Sequence, residues 1–324
     1  MHHVSTWIAL ALTAAVPAGA DGCLTRPKSS AALRSNYNYT MTVDGRERRY
    51  ILHVPPQLAP PAAGWPLVIV LHGTHGTGQK VQRDLGFDTH ADTVGFITAY
   101  PDAYQRMRWN DGRGTLPSSA AGIDDVAFLV ALVSDIAQRV PVNLDRVYLT
   151  GVSNGGMMTY RAGCEAPHVF AAIAPALANV PEPIFATCAP PAGLSVLAIN
   201  GAADPAIPLG GGEVCSDFEV GCEGGFVVSI DQSLGRFAAA NGCDGTYTSV
   251  LLPQSVNDGT TVERRTYTAC PAGVEVLAYI IHGAGHVWPP RPPQLPALGP
   301  TSANLDATGL VVEFFLRHER AGGG

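Results

Sequence analysis

Two rhythms alternate along this chain. Short, mainly apolar runs at 67–71, 96–100, 147–149, 171–174, 195–200 and 274–281 read as strands, and the continuous one at 67–71 has the pattern of a strand buried on both faces. Between them lie stretches in which apolar positions recur three and four apart. Val126, Leu129, Val130, Val133 and Ile136 form one such stripe, led by Asp124 and Asp125 and stopped by Pro141. That pattern predicts an amphipathic helix with a capped, acidic first turn. A second helix is expected over 230–240. A closing one is expected over 305–318, where Leu310, Val311, Phe314 and Phe315 share a face. Residues 37–43 and 46–54 alternate around Asp44-Gly45 and predict a hairpin, and 247–252 with 261–268 make a similar pair. The proline- and alanine-rich 55–66 reads as a surface connection. Strands alternating with helices predict an α/β fold, a mostly parallel sheet with helices on both faces. No internal repeat or interdomain linker interrupts it.

The run at 147–149 feeds Gly151-Val152-Ser153-Asn154-Gly155, and the residues after it can begin a helix. G-x-S-x-G also arises in ordinary Gly-Ser loops. Placed between a strand and a helix, it describes a sharp turn that exposes a serine nucleophile at the sheet's carboxyl edge, as in an α/β-hydrolase. The other candidates sit in loops after other predicted strands. Gly201-Ala202-Ala203-Asp204 offers an acid, with Asp231 as a weaker rival at a helix start. Gly283-Ala284-Gly285-His286 offers the best-placed of ten histidines, with His282 nearer the strand and more in keeping with a structural role. Ser153, Asp204 and His286 then fall in the chain order of α/β-hydrolases, unlike those of chymotrypsin or subtilisin. The glycine-rich loop from His72 to Gly78 supplies the expected second oxyanion donor, the backbone N–H of Thr74, beside that of Asn154. Trp109, on a polar loop beyond a strand, either lines the cleft or folds back on the surface. Trp288 follows His286 closely, and if both tryptophans face the cleft they suit an aromatic acyl group or a hydrophobic polyester segment.

Composition narrows the setting. The chain has 324 residues, 46% hydrophobic and 15% charged, with a net charge of −7 and a pI near 5.8. That balance gives no basis for a nucleic-acid partner. The apolar run 7–16 is too short to span a bilayer and precedes Ala18-Gly19-Ala20, so 1–20 reads as a signal peptide. Its first residues lack Lys and Arg, a departure from the usual pattern. The expected organisation is then a flexible lead over 21–36, a catalytic domain over 37–318 and a tail over 319–324, secreted to the extracellular space or periplasm. Anchoring as a lipoprotein through Cys23 is the alternative, although the residues before it fit a lipobox poorly. No later segment is long and apolar enough for a membrane span. Seven cysteines in an exported chain favour disulfides. Proximity suggests Cys164–Cys188, Cys215–Cys222 and Cys243–Cys270, with Cys23 left over and other pairings open. No C-x-x-C spacing suggests a metal site. The acidic insert 210–225, with Asp217, Glu219 and Glu223, lacks EF-hand spacing.

As a set, RVYLTGVSNGGMM, the early LHG loop, YPDA followed by RWNDGRG, NGAADPAIP and GAGHVWP resemble the secreted polyhydroxybutyrate depolymerase-like esterases. That group includes feruloyl and acetylxylan-type esterases of carbohydrate esterase family 1. The resemblance runs from about Tyr37 to His318 and departs at the cysteine-containing insert. It implies a cofactor-free serine esterase with Ser153 as nucleophile, Asp204 as acid and His286 as base. Feruloyl or related plant-polysaccharide esters are the first expectation for substrate, and polyhydroxyalkanoate polyesters the alternative. A catalytically silent binding protein on the same fold is the rival from another class. Oligomeric state is left open.

Overall fold

The computed structural model describes residues 35–320, apart from 107, 167, 216–221, 223 and 294. The expected signal segment, Cys23, nearly all of the lead and the three acidic residues of the insert lie outside these. Among the described residues, twelve strands and eight α-helices follow in order. They are β1 (Asn36–Val43), β2 (Arg46–His53), β3 (Trp65–Leu71), α1 (Gly78–Leu85), α2 (Phe87–Val94), β4 (Ile97–Pro101), α3 (Pro117–Ala120), α4 (Asp125–Ala137), β5 (Val142–Val152) and α5 (Asn154–Glu165). Then come β6 (Ala172–Ala176), α6 (Glu182–Phe185), β7 (Ser195–Gly201), β8 (Gly212–Glu213), β9 (Phe226–Val227), α7 (Ile230–Ala240), β10 (Tyr247–Leu251), β11 (Thr261–Tyr267), β12 (Val276–His282) and α8 (Ala307–Leu316).

Ten strands form one sheet in the order β1-β2-β4-β3-β5-β6-β7-β12-β11-β10. The six central strands, β4 to β12, run parallel, and an antiparallel pair completes each side. Every residue of β3, β4, β6 and β7 is buried. The side-chain period of two then feeds two cores. Leu67, Ile69 and Leu71 pack with α4, α5 and α7 on one face, while Val68 and Val70 pack with α1, α2 and α8 on the other. This is the helix-covered parallel sheet expected from the apolar runs. Pro66 lies within β3 rather than in the preceding connection, at a register shift between Trp65 and Leu67 where a missing N–H is tolerated. Helices α1 and α2 have no counterpart in the sequence reading. Their faces are largely polar, and Val81, Leu85, Phe87 and Ala91 are too few to stand out as a stripe.

Asp124 caps α4 by accepting the Ala127 N–H, and Asp125 is buried against Arg48 at 2.6 Å. Both acids are structural, as expected. Disulfides join Cys164 to Cys188, Cys215 to Cys222 and Cys243 to Cys270. Among the described residues, no helix is long and apolar enough to cross a membrane.

Candidate active site

Ser153 stands between β5 and α5 with φ 60° and ψ −122°. A side chain in that region of backbone space costs roughly 1–3 kcal/mol and persists only where its surroundings enforce it. Here they do. The Ser153 N–H donates to the carbonyl of Ala176 at the end of β6, and its own carbonyl accepts from Met157. The glycine after it has no room for a side chain: a Cβ on Gly155 would lie 2.5 Å from the His72 oxygen. The G-x-S-x-G spacing therefore reflects a turn pressed against the end of β3.

Asp204 and His286 meet because β7 and β12 are neighbours in the sheet. A Cβ on Gly201 would lie 2.2 Å from the Gly285 oxygen, so the two loops leave their strands in contact. One carboxylate oxygen of Asp204 accepts the N–H groups of Ala206 and Ile207 at 2.7 and 2.9 Å. The other bonds His286 Nδ1 at 2.6 Å. The His286 N–H donates to Leu298 at 2.7 Å, which fixes the loop under the ring. Asp231, the rival acid, pairs with Arg265, and His282 pairs with Glu263.

Ser153 and His286 line one cavity of about 480 Å³. That is within the usual range for small-ligand sites. Val81, Leu85, Leu177, Val287, Trp288 and Leu298 make much of its wall, and Lys80, Asp84 and Arg291 also border it. Among the described residues, no hydrogen bond links the Ser153 hydroxyl to the imidazole. Such bonds are commonly long in free enzymes and tighten with substrate.

Gly73 and Thr74 also line the cavity. His72 holds them in place: its Nδ1–H donates to the Gly73 carbonyl at 2.8 Å and its Nε2 accepts the Ala103 N–H at 3.1 Å. That bonding needs the neutral ring, and burial pushes the His72 pKa down, in the same sense. The Thr74 hydroxyl is buried without a partner. Among the described residues, neither the Thr74 nor the Asn154 N–H meets an acceptor.

The two tryptophans separate. Trp288 lines the cavity, its indole N–H held by Thr308 at 3.0 Å. Trp109 neither lines the cleft nor folds onto the surface. It is fully buried, stacked on Phe128, with its indole N–H donated to the His72 carbonyl at 2.9 Å. A large apolar ring with one satisfied donor is more stable there than at an open rim. Sequence reasoning also missed the Asn154 side chain, which is fully buried and bonds both the N–H and the carbonyl of Trp109. A carboxamide directly after the nucleophile was its only sequence signal.

Comparison with known proteins points to ester hydrolysis. The family model described as "Esterase PHB depolymerase" matches residues 48–182, a span that contains Thr74, Trp109 and Ser153 and stops before Asp204. A putative esterase, NocK, of Nocardia uniformis subsp. tsuyamanensis is 31% identical over 281 residues, covering 85% of this chain and 81% of that protein. Feruloyl esterase B of Piromyces equi is 28% identical over 226 residues, and the match spans 68% of this chain but 39% of that longer protein. A poly(3-hydroxyoctanoate) depolymerase of Pseudomonas fluorescens is 27% identical over 195 residues, covering 53% of this chain and 66% of that protein. Among solved structures, an acetyl xylan esterase from Aspergillus awamori superposes with a TM-score of 0.56 over 87% of this chain and 99% of its own, at 15% identity, a likeness of fold. Sheet, elbow and relatives lead to one conclusion: the chain belongs to the esterase PHB depolymerase family of carboxylic-ester hydrolases.

Proposed function

We propose that the protein hydrolyses carboxylic esters through an acyl-enzyme on Ser153, with His286 as general base and Asp204 as its orienting acid. The observation that carries this reading is the 2.6 Å bond from Asp204 to His286 Nδ1, on a ring that shares a cavity with Ser153. His286 Nε2 takes the Ser153 proton as Oγ attacks the ester carbonyl. The Asn154 and Thr74 N–H groups receive the oxyanion. The imidazolium gives that proton to the leaving alcohol oxygen, and the neutral imidazole then takes a proton from water, whose attack on the acyl-enzyme releases the acid and frees Ser153. Each oxyanion donor contributes on the order of 10²–10³ in rate.

The apolar wall with Trp288 suits an aromatic or medium-chain acyl group, in keeping with the names of the feruloyl esterase and poly(3-hydroxyoctanoate) depolymerase relatives. Feruloyl-type esters are the first reading and polyester segments the second. Three disulfides support an oxidising compartment, hence export. The test is p-nitrophenyl butyrate hydrolysis by the parent and Ser153→Ala proteins. Activity that survives the substitution, or a folded parent with none, overturns the serine mechanism and favours a binding protein. Methyl ferulate, acetylated xylan and a hydroxyalkanoate oligomer compared side by side assign the acyl group. Trp288→Ala is expected to raise KM for ferulate more than for acetate.

A further inference from the structure

Behind the site, one hydrogen-bond network reaches both turns that carry the proposed oxyanion donors. On one side, the Trp109 indole N–H holds the carbonyl of His72, two residues before Thr74. On the other, the Trp109 backbone grips the Asn154 side chain twice: its N–H donates to Oδ1 at 2.7 Å and its carbonyl accepts from Nδ2 at 3.1 Å. Asp111 completes the carboxamide, accepting from Nδ2 at 2.6 Å. The same carboxylate accepts Arg113 Nε at 3.0 Å, and Arg113 Nη1 donates to the Gly224 carbonyl at 2.7 Å. Trp109, Asp111, Asn154, His72 and Arg113 are all 0–2% exposed.

We propose that Trp109 and Asp111, acting through the Asn154 side chain, are positioning residues that set the separation of the Thr74 and Asn154 N–H groups. The inference rests on the serine-esterase reading above. Its support is the placement of the bonds. A network serving stability alone has no reason to end beside both donors. This one spans them with a single rigid ring, packed between His72 and Phe128 at 5.1 and 6.5 Å. The turns also lie close together, since a Cβ on Gly155 would fall 2.5 Å from the His72 carbonyl oxygen. A displaced indole therefore moves one donor relative to the other. An oxyanion forms only during reaction, so such a shift weakens transition-state binding and leaves substrate binding nearly alone.

Asp111→Asn sets an NH₂ group against two donors whichever way it turns, Asn154 Nδ2 and Arg113 Nε at one oxygen or the Arg113 N–H and Nε at the other, and removes the charge that holds the clamp. Asn154→Ala removes the clamp and keeps the backbone N–H. Trp109→Phe removes the indole donor. Rates on p-nitrophenyl butyrate are normalised to sites titrated by a p-nitrophenyl phosphonate, so that unfolded protein does not count. A fall in kcat of roughly 10- to 100-fold is expected, the scale of a misplaced group, with KM within threefold. Affinity for a trifluoromethyl ketone, whose adduct with serine is an oxyanion, should fall by the same factor. Asp111→Asn combined with Asn154→Ala should lose little more than the worse single variant, because both act through one clamp.

Normalised kcat within twofold of the parent, a loss confined to KM, or additive losses overturn the proposal. If Asp111→Asn does not fold, Asn154→Ala and Trp109→Phe decide. If Ser153→Ala stays active, the serine reading itself has failed. If Ser153→Ala is inert while the clamp variants keep their kcat, only the positioning role has failed.

Discussion

Replacing Asp204 by asparagine tests the proposed triad at its most constrained atom. One oxygen accepts two backbone N–H groups, from Ala206 and Ile207, and the other faces His286 Nδ1. Asparagine keeps the shape but has one oxygen. The paired N–H groups claim it, because an NH₂ set against two donors would leave three buried groups unpaired, at about 1–3 kcal/mol each. The NH₂ then points at Nδ1 and makes it an acceptor. The imidazole proton moves to Nε2, the atom that must receive the serine proton. With base and donor exchanged, kcat should fall by about 10⁴, as for the same change in trypsin-type triads. That is roughly 5.4 kcal/mol of barrier. KM should change little, because the substituted atoms do not line the cavity. Steady-state hydrolysis of p-nitrophenyl butyrate at pH 7.5, with circular dichroism to verify the fold, measures this directly. A folded Asp204→Asn protein retaining more than a tenth of parental kcat refutes the tautomer argument and with it the acid's role of Asp204.

Other consequences concern stability. Arg48→Ala strands the buried Asp125 carboxylate; a loss of about 3–5 kcal/mol is expected by denaturant titration, and a loss under 1 kcal/mol contradicts it. Arg265, with Ser249 and His282, holds the Glu263 carboxyl down from 4.5 to about 2. A folded-state pKa below the unfolded one stabilises above pH 4.5 and loses that contribution as pH falls toward 2. Glu263→Gln should therefore lower Tm at neutral pH and flatten its decline across that interval; parallel Tm–pH curves for parent and variant would disprove it. Cys243–Cys270 spans 27 residues and Cys215–Cys222 spans 7. On the chain-entropy account, replacing the longer pair by serine should cost more, by about 1 kcal/mol. The reverse order by differential scanning calorimetry would rule that account out here.

The parallel strands were legible because burial on both faces leaves mainly apolar runs, as in β3 and β7. The elbow was legible because two glycines mark where backbone meets backbone. Asp204 and His286 stood out as acid and imidazole in loops that follow such strands, and chain order suggested the roles proposed for them. Helices α1 and α2 escaped notice, since a helix that buries only a few apolar residues carries little period.

Trp109 shows the limit most clearly. Local sequence presents it as a tryptophan on a polar loop, and nothing within several residues of it reveals that His72, Asn154 and Phe128 surround it. Those partners come from three other elements, brought together by the adjacency of β3, β4 and β5. Amino-acid order determined which segments are strands, which loops carry reactive groups and which cysteines lie near each other along the chain. Tertiary structure alone decided which loops touch, that Asp204 rather than Asp231 reaches the imidazole, and that one tryptophan lines the cavity while the other braces it from behind. Periodicity and turn chemistry act over a few residues and are written locally, whereas a contact between distant loops depends on strand order and register, which no single stretch of chain contains.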